Sequence, residues 1–314
     1  MLKLASRFIS STMNSVEKQS FRKESILPSE QIERLKSRKL AIQDEEKATD
    51  YLRNIGYYRL SAYLYPLLAE PKTNHNFKTG SNFETALNIY KFDRKLRMLI
   101  FNEIEKIEIA IRATITDTVC HELKDVFWIT DPKYFKNRQK FDTTLQNISR
   151  ELNRSSEDFI LHFKEKYDNP HPPAWMIVEV VSLGTLCNVF TNLINSGVKK
   201  KVAQRFGIQH SVFHSWILTI AGLRNMCCHH TRMWNKRLIL LPIVPKKTDY
   251  TFVKNMSDLD RIYCRLCIVK YLISTIAPSN KFTQKLKGLL KQYPNIDIKA
   301  MGFPTDWENE PLWQ

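Results

Sequence analysis

Glycine and proline are scarce in this chain, at 8 and 13 of 314 residues. Neither occurs between Gly80 and Pro132. A stretch of that length without breakers has little to end a helix, and an all-α fold is expected. Long apolar runs are missing too. None reaches the ~18 residues that a membrane-crossing helix needs, so no membrane role is expected. The six cysteines, at 120, 187, 227, 228, 264 and 267, do not have the spacing of a disulfide framework. Several lie in apolar, helix-like stretches, which fits reduced, buried thiols and a cytoplasmic protein. Acidic residues are in deficit: 48 Lys and Arg against 32 Asp and Glu leave 48 − 32 = +16. Such an excess calls for an anionic partner, and nucleic acid is the common one. The bland alternative is a merely soluble basic protein. The basic residues are spread along the chain, so the folded body itself would carry the field.

What is present reads as a series of helices. Residues 1–25 are Ser-rich, charged and without periodicity, and read as a disordered leader. Its apolar patch around Lys3 and Arg7 is too short for a secretory signal; a transit-like leader and a start at Met13 are the other readings. A helical segment is expected over 26–80, entered at Pro28-Ser29-Glu30 with Ser29 as the cap. A second entry follows at Asp44-Glu45-Glu46, with Gly56 placed to stop it. Tyr57 to Pro66 holds four tyrosines and Arg59. They suit packing between helices and also suit stacking on bases; packing is the commoner outcome.

The main helical domain is expected over 81–280, with a tail over 281–314 whose prolines predict loops that pack late or not at all. Leu96, Ile100, Ile104, Ile107, Ile111, Ile115 and Val119 recur at steps of 3 or 4, one apolar face over more than six turns. Glu108 and Arg112 ride on it at i,i+4 and suit a bridge, either exposed or turned towards a site. Helices are also predicted over Ala174–Leu193, interrupted at Ser182 and Gly184, over Val212–His230 and over Asp258–Ile276. Leu238–Val244, broken by Pro242, reads as an extended connection. Lys199-Lys200-Lys201 forms a basic turn suited to phosphate contact or to a solvated helix start.

The chemically informative stretch is Leu223-Arg224-Asn225-Met226-Cys227-Cys228-His229-His230-Thr231-Arg232-Met233-Trp234-Asn235. Two His, two Arg and two Asn crowd the end of an apolar helix, where each buried polar group would need a partner. RNA cleavage without metal needs a proton-moving group near neutrality and fixed positive charge on the phosphorane. Histidine suits the first and arginine the second. Asn225 and His229, at i,i+4, share a face. Arg224 lies roughly 140° around from His229 on an ideal helix. One chain's Arg and His therefore do not pair tightly unless the helix bends or ends. A homodimer with two His and two Arg around one phosphate removes the difficulty.

Arg224-Asn225-x-x-x-His229 resembles the R-x4-H signature of the HEPN ribonuclease superfamily, in which a polar residue commonly follows the Arg. Arg205 to His210 also fits R-x4-H, but its apolar Phe206 argues against function. The longer string looks like the abortive-infection (Abi-D/F-like) family of bacterial phage-resistance proteins. Further stretches agree in order: Tyr58–Tyr63; Tyr90–Arg97 with Ile107–Arg112; and Pro173–Met176 with Glu179 and Gly184. Cys228 departs from the pattern, standing where the family is expected to have Ala.

The resemblance covers about residues 28–280. It implies an HEPN-like helical bundle with an N-terminal helical extension. The implied activity is that of a dimeric endoribonuclease or toxin restrained by an RNA or protein antitoxin. Arg224, Asn225 and His229 become the catalytic candidates, with His230, Arg232, Glu108 and Arg112 as support and Lys199, Lys200 and Lys201 as RNA contacts. Which of His229 and His230 acts is open; the x4 spacing favours His229.

No cofactor or metal is expected. Cys227-Cys228-His229-His230 point in four directions on a helix, and Cys264-x-x-Cys267 lacks a second pair. Cysteine-protease chemistry fails on the same geometry. The remaining rival is a non-catalytic RNA-binding or interaction module, with Arg224 and His229 serving the helix C-terminus.

Overall fold

The structure is a computed structural model, which describes residues 24–314 together with Ser20 and Arg22. The leader expected over 1–25 lies almost wholly outside the described residues. Twelve α-helices and no strand occur among them, so the fold is all-α. No described helix is long and apolar enough to cross a membrane. The chain divides into two compact units, one ending at Phe83 and the other spanning Glu84–Gln314.

The first unit holds α1 (Pro28–Ser37), α2 (Glu45–Ile55) and α3 (Tyr57–Leu64). Ile32, Leu35, Leu52, Leu60 and Tyr63 are buried in it. Ser29 does not cap α1. Leu27 holds that position, and the Glu30 carboxylate accepts the Leu27 N–H at 2.6 Å. Pro28 explains the shift: its fixed φ and missing N–H suit the first helical position, so the cap falls one residue earlier. Asp44 does cap α2, its Oδ1 accepting the Lys47 N–H at 2.9 Å. Gly56, at φ 87°, ends α2. The tyrosines divide. Tyr63 packs inside, Tyr58 is 92% exposed, and Lys72 lies 4.5 Å over the Tyr65 ring.

The second unit is organised by α4 (Phe83–Leu123) and α11 (Ile262–Ile276). All seven apolar residues of the α4 stripe, Leu96 to Val119, are fully buried. The stripe also buries three charges: Asp93, Arg97 and Glu103. Around these lie α5 (Arg138–Arg154), α6 (Asp158–Lys166), α7 (Ala174–Val180), α8 (Leu183–Asn192), α9 (Ser196–Gln204) and α10 (His210–Cys228). The break expected near Ser182 separates α7 from α8, and Ser182 Oγ caps α8 through the Thr185 N–H. Leu238–Val244 forms neither helix nor strand. Its backbone is pinned by the Leu238 N–H to the Asp260 carbonyl at 2.8 Å and the Ile243 N–H to Ser215 Oγ at 2.9 Å.

Three expectations are corrected. Helix α11 begins at Ile262, not Asp258, with Arg261 at its N-cap. The carboxyl-terminal residues are not loops that pack late. They form α12 (Phe282–Gln292) and bury Phe303, Trp307, Leu312 and Trp313. Pro311 opens a short 3-10 turn rather than preventing structure, and Trp313 Nε1 donates to the buried Tyr263 hydroxyl at 3.1 Å. Lastly, the thiols are not uniformly buried. Cys187, Cys227, Cys264 and Cys267 are, Cys120 is half-buried, and Cys228 is exposed.

Candidate active site

Helix α10 is apolar through Val212, Phe213, Trp216, Ile217, Ile220 and Leu223, all buried. Its polar end closes in a Schellman motif. The Thr231 N–H reaches back to the Met226 carbonyl at 2.9 Å and the His230 N–H to the Cys227 carbonyl at 3.1 Å. This requires a left-handed residue after the C-cap, normally Gly or Asn. Here it is His230, at φ 53°. His229 is the C-cap, and its N–H still bonds the Asn225 carbonyl at 2.9 Å.

That bond keeps His229 at its helical azimuth. The helix ends too late to swing His229 round to Arg224, so the two remain on different faces. Asn225, Cys228, His229 and His230 are all exposed; Arg224 and Arg232 are half-buried. Among the described residues, the Asn225 amide and the His229 ring have no side-chain partner. They stand free for a ligand.

Arg224 is drawn the other way, to Glu108 on α4. Its Nε lies 3.9 Å from Glu108 Oε2. The other carboxylate oxygen, Oε1, accepts from Arg112, with Nε at 3.2 Å. Arg112 Nη1 in turn donates to the carbonyls of Val178 and Val181, the latter at 2.9 Å, where α7 ends. Glu108–Arg112 is therefore not an exposed bridge. It is a largely buried junction that satisfies the end of α7 and places a carboxylate beside Arg224. Behind it, burial and the Glu108 charge push the Cys187 thiol up to about 12.

Two residues essential to this geometry stand in the sequence only as part of the Tyr90–Arg97 stretch, with no role assigned to them. Asp93 and Arg97 form a buried i,i+4 ion pair on α4. Asp93 Oδ1 accepts the N–H groups of Met233 at 3.0 Å and Trp234 at 2.7 Å. Arg97 faces the Thr231 carbonyl at 3.4 Å, and its own carbonyl lies 3.7 Å from Cys227 Sγ. The pair thus clasps the chain on both sides of the His229–His230 turn. The signal was available: Asp93 lies three residues before Leu96 and Arg97 three before Ile100, both on the stripe's side of the helix, and charges on a core face demand partners.

The three lysines of the triplet point in different directions. Lys199 turns inward and donates to the Leu193 carbonyl at 2.8 Å. Lys201 pairs with Glu122, and Lys200 is exposed. The reason is helical: α9 starts at Ser196, so three consecutive residues point in three directions. No group of three or more His, Cys, Asp or Glu is gathered as a metal would need among the described residues. Burial pushes Cys227 to about 12 and Cys264 to about 11, making both poor thiolate ligands.

No curated protein and no solved structure matches the chain. The profile of the Abi-like protein family matches residues 50–235. That span includes α4, the Glu108–Arg224 contact and the whole turn clasped by Asp93, and it stops one residue after Trp234. Covering more than half of the chain, the match makes this protein a member of the Abi-like, abortive-infection family.

Proposed function

We propose that the protein is a metal-independent endoribonuclease of the HEPN type, acting as the toxin of an abortive-infection phage-defence system in the cytoplasm. Family membership supports the defence role. The reading of the chemistry is carried by one observation: Asn225 and His229 are exposed and unengaged at the end of α10, while Arg224 is held half-buried beside Glu108.

In this reaction one imidazole takes the proton from a ribose 2′-hydroxyl, whose oxygen attacks the adjacent phosphorus. The P–O5′ bond breaks, and the departing 5′-oxygen takes a proton from a second imidazole. The products are a 2′,3′-cyclic phosphate and a 5′-hydroxyl. Arg224 supplies fixed positive charge to the phosphorane oxygens, and Asn225 donates to a phosphate oxygen from the His229 face. Because Arg224 and His229 of one chain diverge, two copies are required, each giving its His229 to the opposite side of the phosphate. His230 and Arg232 flank the site. An RNA or protein antitoxin that covered the exposed turn would restrain it.

The test is direct. Purified protein is mixed with end-labelled RNA in EDTA, and products are read for cyclic phosphate ends. Wild type is expected to cut and His229→Ala not to cut, with equal RNA affinity for both. Absence of products at any protein concentration overturns the nuclease; retained RNA binding would then favour the non-catalytic RNA-binding module.

A further inference from the structure

Far along α10 from His229 lies a second basic constellation, absent from the motif. The Phe135–Leu193 bridge joins the chain before α5 to the end of α8. Lys136, next to Phe135, donates its N–H to the Asn192 carbonyl at 2.9 Å. Asn192 closes the junction: its Oδ1 accepts the Asn137 N–H at 3.0 Å and its Nδ2 donates to the Asn137 carbonyl at 2.9 Å. Lys199 Nζ arrives at the same place on the Leu193 carbonyl. Helix α10 meets this point through Phe213, whose ring packs 5.3 Å from that of Phe190 on α8. His214 is the next residue, and His210 begins the helix.

Four elements therefore bring Lys136, Lys140, Lys199, His210 and His214 together. Lys136, Lys140 and His214 are exposed, and His210 and Lys199 are half-buried. The groups that act on the His214 ring from these elements are all cationic or imidazole: Lys136, Lys199, His210 and Lys140. Partial covering of the His214 ring first, and then their charge, holds it below its ordinary value, and partial burial with Lys136 does the same to Lys199. A fold gains nothing from gathering like charges without a counter-charge; the self-repulsion is relieved by an anion from outside. The α10 amino terminus, whose Gln209 makes no side-chain cap, adds partial positive charge on the same side.

We infer that Lys136, Lys140, His210 and His214, backed by Lys199, form a docking site for the phosphate backbone of single-stranded RNA, remote from the cleavage centre. The inference rests on the nuclease reading for the identity of the anion. Helix α10 has 19 residues, so the two ends lie ~28 Å apart at 1.5 Å per residue, a span of several nucleotides. The flat imidazoles of His210 and His214 suit stacking on unpaired bases between phosphate contacts. This surface holds the strand by charge without reading its sequence, while the α10 carboxyl end performs the cut.

The experiment uses the full chain and a fluorescent single-stranded RNA made uncleavable by 2′-O-methylation, with affinity measured over a range of salt. Lys136→Gln/Lys140→Gln is expected to bind more weakly and to lower the slope of log K against log salt by ~1.4, two contacts at about 0.7 each. Lys136→Arg/Lys140→Arg is expected to keep the wild-type slope. Equal affinity and slope for the Gln variant overturn the site. So does a loss of affinity for a polyglutamate peptide equal to that for RNA, which assigns the patch to an acidic protein. Cleavage is scored separately with unmodified RNA. An inactive wild type that still shows the slope change would overturn the nuclease alone, because the docking measurement involves no cutting.

Discussion

Asp93 accepts the backbone N–H of Trp234 at 2.7 Å, across 141 positions of sequence, and does so fully buried. The same oxygen serves Met233, and the other faces Arg97. One carboxylate on α4 thus sets where the chain goes after His229 and His230. Removing it strands two N–H groups and leaves Arg97 as an unpaired buried charge. Asp93→Ala is expected to cost ~3–5 kcal/mol in urea unfolding. A loss below ~1 kcal/mol would mean that the turn is held by other means.

The carboxyl terminus is expected to behave as core. Trp313 is 1% exposed, meets Trp307 edge-on at 5.4 Å between ring centres, and donates to Tyr263 on α11. Trp313→Ala should destabilise by ~3–5 kcal/mol, by denaturant titration, as large-to-small changes in packed cores do. A tail that merely rested on the surface would show almost no change.

How much of this is legible in the sequence differs from residue to residue. The α4 stripe was legible because seven apolar residues at steps of three and four have only one helical explanation. The Asp44 cap and the Gly56 stop were legible because each acts on its nearest neighbours. The Glu108–Arg224 contact was not, since the periodicity of one helix says nothing about which helix its carboxylate meets. Nor was the Asp93 clasp, which depends on a loop folding back onto α4. The divergence of the three lysines was not legible either, because consecutive residues look like a patch in sequence and separate on a helix. The proposed docking cluster, by contrast, draws on residues from separate elements. The packed tail is not legible because its prolines predict loops that pack late or not at all, although proline at the first position of a short helix favours its formation.

Thiol chemistry offers a check with a definite sign. Burial pushes Cys187 and Cys227 from 9.0 to about 12 and Cys264 to about 11. At mildly alkaline pH these groups remain protonated, so a thiolate-specific reagent should modify Cys228 at once, Cys120 slowly, and the buried four only on unfolding. Above pH ~9 the unfolded chain loses these protons before the folded one does. The stability they contribute is complete below that pH and is lost as pH rises towards the folded values. Urea midpoints should therefore fall through this window. A Cys187→Ala/Cys227→Ala variant should show a shallower fall, even if less stable overall; an unchanged slope refutes the assignment.

Glu108 is expected to act as a positioning residue for Arg224. With Oε1 engaged by Arg112 and Oε2 lying 3.9 Å from Arg224 Nε, it sets the guanidinium's side of the helix without approaching substrate. Glu108→Gln keeps the shape and removes the charge. RNA cleavage should fall in kcat by ~10-fold, about 1.4 kcal/mol, with KM for RNA little changed. A rise in KM at constant kcat would instead make Arg224 a binding group, with Glu108 tuning its hold on RNA.

The two histidines are separable by backbone chemistry. His230 occupies the left-handed position of the Schellman motif at φ 53°, a conformation costing non-glycine residues ~1–2 kcal/mol. His230→Gly relieves that strain while deleting the imidazole, and Gly's greater freedom in the unfolded chain offsets part of the gain. Its stability should stay within about 1 kcal/mol of wild type or exceed it. His229, at φ −86°, is unstrained and exposed, so His229→Ala should leave the fold unchanged. If His229 is the proton-transfer group, His230→Gly retains most RNA cleavage and His229→Ala loses it by ~100-fold or more. The reverse pattern would move the chemistry to His230. The left-handed turn would then be the means of lifting an imidazole off the helix towards the partner's phosphate, and the strain at that position would have its explanation.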